Sequence, residues 1–159
     1  MSLFVFILAC MIQLNFPSFS FKTKIIEERT QIFDDIRRKY VALTPEEWVR
    51  QHIVKYLQLH KEYPASLMAV EKQVLVNGLK QRADVVVHNR QGAPVMIIEC
   101  KAPSVPLTNQ VFDQVARYNM SLNVNYLVLT NGLSHYCAIL DYQHNTYSFL
   151  KQIPAFNKL

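Results

Sequence analysis

The chain has 159 residues, of which half are hydrophobic and 18% are charged, so it can build one packed domain and is not a disordered protein. Its three glycines, Gly78, Gly92 and Gly132, exclude a Walker A phosphate loop and the Gly-x-Gly-x-x-Gly turn of dinucleotide-binding proteins. The net charge of +5 favours polyanionic partners, although many basic proteins bind none.

The first residues and the cysteines bear on the cellular location. Residues 1–12 begin with the apolar run MSLFVFILAC, which lacks a basic start and is shorter than the ~20 residues that span a bilayer. We interpret them as a leader that comes from a start assigned upstream, and residues 13–159 as one domain. A lipid-anchored envelope protein remains the alternative. Three scattered cysteines form no zinc pattern and favour a reducing compartment, so we expect a cytoplasmic protein without membrane contact.

The first part of the domain combines strands with one strong helix signal. Apolar alternation predicts strands at residues 24–26, 31–33 and 39–43, and the basic cluster Arg37-Arg38-Lys39 between them fits either a solvated turn or a DNA contact. Thr44 is the expected N-cap of a helix that runs to about His60.

The apolar spacing of that first helix assigns its two acidic residues to different sides. Val49, Ile53 and Leu57 recur at helical spacing and define the buried face. This face places Glu46 toward the core, whereas Glu47 points outward and completes a capping box with the N-cap residue.

The remaining segments predict a layered fold. Strands are expected at residues 67–76, 83–88, 95–102, 126–130, 135–140 and 147–150, with an Asn77-Gly78 hairpin turn after the first and a helix at 108–122 before the fourth. Val111, Val115, Tyr118 and Leu122 mark the apolar face of this second helix. The order of helix, three strands, helix, strand predicts an α/β (α+β) fold, αβββαβ, with a mixed central sheet and added N- and C-terminal hairpins.

Two acidic residues are brought together by the predicted hairpin at residues 83–102. If its turn is centred between Gln91 and Gly92, antiparallel pairing places Asp84 directly opposite Glu99, with Cβ atoms about 4.5–5.5 Å apart. Strand alternation puts Lys101 on the same face as Glu99. Two facing carboxylates favour a cation between them, and Mg²⁺ or Mn²⁺ suits oxygen ligands. Together with a lysine, they indicate a phosphodiesterase site.

These residues also resemble a known family. Asp84, followed fourteen residues later by Glu99-x-Lys101, is similar to the PD-(D/E)xK nucleases. With residues 39–51, Ala102-Pro103 and a Gln114-x-x-x-Tyr118 element, the chain more closely resembles the N-terminal nuclease domain of type I restriction enzyme R subunits. The resemblance covers roughly residues 33–140. Ala83 replaces the proline of the superfamily name, and the helicase motor of a full R subunit is absent.

The resemblance implies a restriction-endonuclease-like three-layer core and a specific site. It makes Glu46, Asp84 and Glu99 the metal ligands and Lys101 the catalytic lysine. Gln114 and Tyr118 join the catalytic set by positioning the DNA or the lysine.

The implied function is that of a Mg²⁺- or Mn²⁺-dependent endodeoxyribonuclease that acts in restriction or repair. DNA is the expected substrate, with methyltransferase and motor subunits, or a second copy of the chain, as partners. Phosphate contacts are expected from Lys80, Arg82, Arg117 and the 37–39 cluster. Two alternatives remain: a salt-bridged surface cluster at the acidic pair, and a non-catalytic nucleic-acid-binding or assembly module of the same fold.

Overall fold

The structure is a computed structural model that describes residues 12–76 and 79–159. Residues 1–11 of the predicted leader and the predicted Asn77-Gly78 turn lie outside the described residues. Within the described ranges, no helix is long and apolar enough to cross a membrane.

The N-terminal part forms a small antiparallel sheet that leads into the first helix. Its strands are β1 (Thr23–Ile26), β2 (Arg29–Asp34) and β3 (Lys39–Ala42), which pair in chain order. Helix α1 follows at Pro45–His60, and the Thr44 side chain accepts a hydrogen bond from the amide of Glu47. The predicted N-terminal hairpin, the N-cap and the end of the helix are therefore confirmed.

The central sheet contains six strands and confirms the predicted αβββαβ order. They are β4 (Met68–Val76), β5 (Leu79–His88), β6 (Pro94–Cys100), β7 (Tyr126–Thr130), β8 (His135–Asp141) and β9 (Thr146–Leu150), and helix α2 (Asn109–Met120) joins β6 to β7. Neighbours in the sheet follow the chain order. Only β6 and β7 are parallel among these described strands, so the sheet is mixed, and β8 with β9 is the added C-terminal hairpin.

Helices cover both faces of this sheet. On one side α1 packs Val49 and Ile53 into a cluster with alternate residues of β5 and β6. On the other side α2 packs Phe112 and Ala116 against the intervening strand residues. Residues 85–87 and 96–98 are all fully buried, which explains the continuous apolar runs of these strands.

The buried face of α2 agrees only in part with the predicted one. Its buried residues are Phe112, Ala116 and Asn119. Of the predicted stripe, Val111, Val115 and Leu122 are partly buried against the same cluster, whereas Tyr118 is 46% exposed. The centre of the buried face lies about one residue further along the helix than the predicted stripe. Phe112, the largest apolar side chain of the helix, sets this position because it packs against the aromatic rings of β9. The helix also ends at Met120, two residues before the predicted end.

Candidate active site

The β5–β6 ladder ends one residue short of Asp84. Residues 85–87 of β5 pair antiparallel with residues 98–96 of β6, and Asp84 then approaches β6 through its side chain, which accepts a hydrogen bond from the amide of Cys100. Asp84 lies in the middle of β5, whereas Glu99 is the residue before the end of β6 and pairs with Leu129 of the parallel neighbour β7.

The turn that produces this register is not the regular turn of the prediction. The amide of Asn89 donates to the carbonyl of Ala93 at 2.8 Å, which leaves a three-residue loop, 90–92, with Gly92 at φ +84°. A loop of this length alone would shift the pairing by one residue. A β-bulge between Val87 and His88 compensates for the shift and restores the predicted pairing of residues 85–87 with residues 98–96.

Two hydrogen bonds, one from a backbone amide and one from an arginine side chain, fix the carboxylate of Asp84. Its Oδ2 accepts a hydrogen bond of 2.7 Å from the amide of Cys100, and its Oδ1 accepts one of 2.9 Å from Nη2 of Arg50 on α1. The side chain is 14% exposed. Because a carboxylate oxygen has two acceptor positions, each oxygen keeps one that can face a cation.

Glu99 is the strongly perturbed acid of the pair. Burial is the main cause that raises the pKa of Glu99, the neighbouring carboxylate of Asp84 acts in the same direction, and together they raise it to about 8. The ammonium of Lys101 opposes this rise. At neutral pH Glu99 therefore keeps its proton unless an additional positive charge comes close.

Lys101 lies near two acidic side chains of the site, those of Glu46 and Glu99. Its amide donates to the carbonyl of Thr130 at 2.8 Å, which attaches the residue after β6 to the end of β7. Its charge acts to lower the pKa of Glu46 as well as that of Glu99. The structure thus brings Glu46, Asp84, Glu99 and Lys101 into one neighbourhood.

The predicted roles of Glu46 and Glu47 on α1 require a correction. Glu47, expected to point outward, is 5% exposed, whereas the side chain of Glu46 is 46% exposed. The carboxylate of Glu47 does not complete a capping box, because it accepts hydrogen bonds from Arg37, Arg50 and Gln51 instead. Glu46 still faces the site: burial raises its pKa, and the charge of Asp84 adds to this effect.

Sequence reasoning missed the ion pairs behind the acidic pair. Arg37, Glu47, Arg50 and Glu71 form a connected group, and Arg50 joins it to Asp84. The spacing of Arg50, three and four residues after the helix acids, could have indicated part of it. Glu71 gave no such signal, because its place depends on a positive φ of 52° within β4.

The remaining predicted residues lie at the surface. Gln114 and Tyr118 are exposed on α2, and the described hydrogen bonds include none from their side chains to Asp84, Glu99 or Lys101. Among the expected phosphate contacts, Lys80 and Arg117 are exposed. Arg37 is not available for DNA, because its side chain is 13% exposed and pairs with three carboxylates. Arg82 is exposed but pairs with Glu71.

The donor set suits a hard divalent cation in part. Within residues 12–76 and 79–159, no group of three or more His, Cys, Asp or Glu side chains is arranged to hold a metal ion, so Glu46 does not form a ready three-acid site with Asp84 and Glu99. Mg²⁺ in phosphate chemistry commonly uses one or two carboxylates together with water and substrate oxygens. The neighbouring acids of β5 and β6 fit that requirement, because burial raises the pKa of Glu99 and a bound cation would favour its charged form.

Comparison with known proteins identifies a family and a structural neighbour. The sequence model of the family described as Type I restriction enzyme R protein N terminus (HSDR_N) matches residues 45–154, well over half of the chain. No curated protein sequence matches. Among solved structures, a fragment assigned as an HsdR subunit of a type I restriction enzyme from Vibrio vulnificus YJ016 is 21% identical, with a TM-score of 0.48. The match covers 67% of this chain and 22% of that one, so the chain spans about a fifth of that structure.

Proposed function

This chain belongs to the family of type I restriction enzyme R protein N termini, and on that premise we propose that it is a metal-dependent endodeoxyribonuclease. The observation that carries the proposal is the closeness of Asp84, Glu99 and Lys101, whose side chains act electrostatically on one another. The family supports a role in restriction, and repair of DNA is compatible with the same chemistry.

The proposed cation is Mg²⁺ or Mn²⁺, with Asp84 and Glu99 as its protein ligands and Glu46 as a third ligand at the exposed edge. When bound, the cation supplies positive charge to the scissile phosphate and promotes attack by water. Asp84 is already oriented by two hydrogen bonds, so it can bind without rearrangement. Glu99 would release its proton when it becomes a ligand.

Other residues of the chain have supporting roles in this proposal. The ammonium of Lys101 stabilises negative charge that develops on a phosphate oxygen. Gln114 and Tyr118, one turn apart on the exposed side of α2, contact the DNA strand. Lys80, Arg38, Lys39 and Arg117 supply contacts to phosphates that carry no sequence information.

The proposed partners rest on the family whose sequence model matches residues 45–154. We therefore propose that target choice lies with methyltransferase and motor subunits, or with a dimer of this chain, in the cytoplasm.

A nicking assay on supercoiled plasmid tests the function. The wild type should convert the plasmid to open circles with Mg²⁺ or Mn²⁺ and not with EDTA. Asp84→Asn, Glu99→Gln and Lys101→Met should each reduce the rate at least a hundredfold. Lys55→Met is the matched control, because Lys55 lies on α1, as Glu46 does, but makes its ion pair with Asp35 after β2 and not with the acidic pair. Cutting that survives Asp84→Asn would disprove the catalytic assignment.

One observation favours the second candidate, a non-catalytic nucleic-acid-binding module. Arg50 already neutralises Asp84, and a carboxylate with a permanent cation has less need of a metal. This alternative predicts DNA binding that weakens steeply with salt, is unchanged by EDTA and is accompanied by no cutting.

A further inference from the structure

Four charged side chains close a ring behind the proposed site. Arg37 donates to Glu47 at 2.6 Å and lies 3.1 Å from a carboxylate oxygen of Glu71. Arg50 donates to the other oxygen of Glu47 and lies 3.3 Å from the other oxygen of Glu71. Each arginine therefore contacts both glutamates, and each glutamate contacts both arginines.

The ring connects three separate parts of the fold. Arg37 follows β2, Glu47 and Arg50 belong to α1, and Glu71 belongs to β4. The side chains of Arg37, Glu47 and Arg50 are 13%, 6% and 4% exposed. Buried charges of this kind persist only when they are paired, so the ring holds each member in place.

One guanidinium nitrogen of Arg50 points away from the ring of charges and toward the proposed metal ligands. Nη2 of Arg50 lies 2.9 Å from Oδ1 of Asp84 and 3.2 Å from Oε1 of Glu46, while Nη1 contacts the ring glutamates. Resting on the function proposed above, we infer that Arg50 is a positioning residue, which holds the two carboxylates in the orientation that receives the cation. Ligating carboxylates depend on such hydrogen bonds for their orientation.

The geometry requires an arginine at this position. A guanidinium presents its nitrogens in a rigid plane, so one side can bind the ring while the other binds Asp84 and Glu46. Lysine keeps the positive charge but offers a single nitrogen that cannot reach both sets of acceptors. Arg50→Lys therefore separates the loss of orientation from the loss of charge.

The test measures Mn²⁺ binding without DNA, by the electron paramagnetic resonance signal of free Mn²⁺. Arg50→Lys should bind Mn²⁺ about tenfold more weakly than the wild type, in the range found when the partners of metal ligands are changed. The Mn²⁺ concentration for half-maximal nicking should rise by a similar factor. Lys55→Met, which removes an ion pair between α1 and the segment after β2, should match the wild type in both measurements.

A second variant keeps the test decisive if Arg50→Lys does not fold. Glu71→Gln changes a ring member that is 29% exposed and does not itself contact Asp84 through a described bond. It should weaken Mn²⁺ binding in the same direction and by a smaller factor. Circular dichroism checks that each variant is folded at the assay temperature.

The outcomes separate the two proposals. A purely structural role lowers the melting temperature but leaves the Mn²⁺ affinity of the folded protein unchanged, and that result would overturn the role of Arg50 alone. Tighter Mn²⁺ binding by Arg50→Lys would also overturn it, because Arg50 would then compete with the metal. A wild type that neither binds Mn²⁺ nor cuts DNA would overturn the proposed function and this inference with it.

Discussion

The amide of Cys100 donates a 2.7 Å hydrogen bond to Oδ2 of Asp84, which joins the end of β6 to the acid of β5. The bond fixes the Asp84 carboxylate next to Glu99, although like charges on adjacent strands repel each other. Arg50 compensates for the charge of Asp84 but makes no described hydrogen bond to Glu99. Burial and, after it, the nearby charge of Asp84 raise the pKa of Glu99 to about 8.

Asp84→Asn tests the interaction between the two acids. The amide keeps the shape of the side chain and removes its charge, so the pKa of Glu99 should fall below about 8. It should stay above the ordinary value of 4.5, because burial is the larger cause of the shift. Side-chain carboxyl ¹³C chemical shifts followed across a pH titration measure the value. An unchanged pKa would mean that Asp84 does not act on Glu99.

The contribution of Glu99 to the stability of the protein should fall as the pH rises from about 4.5 to about 8. In this interval the unfolded chain has released the proton of Glu99 while the folded chain still retains it. Because the unfolded state binds fewer protons, a rise in pH favours it over the folded state. Glu99→Gln removes the titrating group and should make the free energy of unfolding less dependent on pH in this window. Urea denaturation of both proteins at pH 5 and pH 8 measures the difference.

The melting temperature at pH 8 with saturating Mg²⁺ tests whether a cation binds at the acidic pair. A cation bound by the acidic pair should raise the melting temperature of the wild type, because it binds the folded state alone. Glu99→Gln should show a much smaller rise. Equal rises in the two proteins would indicate that the ion binds elsewhere.

The residues that could be predicted from sequence are those whose positions depend on local periodicity. Hairpin pairing predicts the β5–β6 register, which is observed for residues 85–87 with 98–96 even though a bulge and a three-residue loop together produce it. The carboxylate of Asp84 reaches β6 and Arg50 outside this regular pairing. The N-cap at Thr44 depends on a local motif and is also observed. These features depend on neighbours along the chain.

The buried ion pairs could not be predicted in the same way. Glu47 is buried because Arg37, ten residues earlier, and Gln51 reach its carboxylate, and these contacts exist only after β2 packs beside α1. Helical periodicity of apolar residues assigned Glu47 to solvent because it takes no account of a distant partner. The buried face of α2 was misplaced for a related reason, since the aromatic rings of β9 decide the position of Phe112.

Glu47 should be among the most costly residues of α1 to replace. Glu47→Ala leaves Arg37 and Arg50 without a shared buried carboxylate, and breaking a buried pair in this way costs roughly 3–5 kcal/mol. Lys55→Ala breaks a more exposed pair on the same helix and should cost about 0–1 kcal/mol. Urea denaturation measures both. A cost for Glu47→Ala no larger than that of the control would contradict the burial of this carboxylate.

Two glycines provide a matched test of how the segment before β1 packs on the sheet. Gly92 and Gly132 both have a positive φ, of 84° and 83°, but a Cβ added at Gly92 meets no atom within 4 Å. A Cβ at Gly132 would lie 2.7 Å from the side chain of Leu14 and 3.1 Å from that of Val49. The carbonyl of Gly132 also accepts the amide of Asn15 at 2.7 Å.

Gly132→Ala should therefore destabilise the protein more than Gly92→Ala. Both substitutions place alanine in the left-handed region, at a cost of roughly 1–2 kcal/mol, and both restrict the unfolded chain equally. Only Gly132→Ala adds the contact with Leu14, which should contribute about 1–3 kcal/mol more. The double variant Gly132→Ala, Leu14→Ala should recover part of that difference, because it removes the atoms that the new methyl group meets. Equal free energies of unfolding for the two single variants would show that Leu14 does not pack against Gly132 in solution.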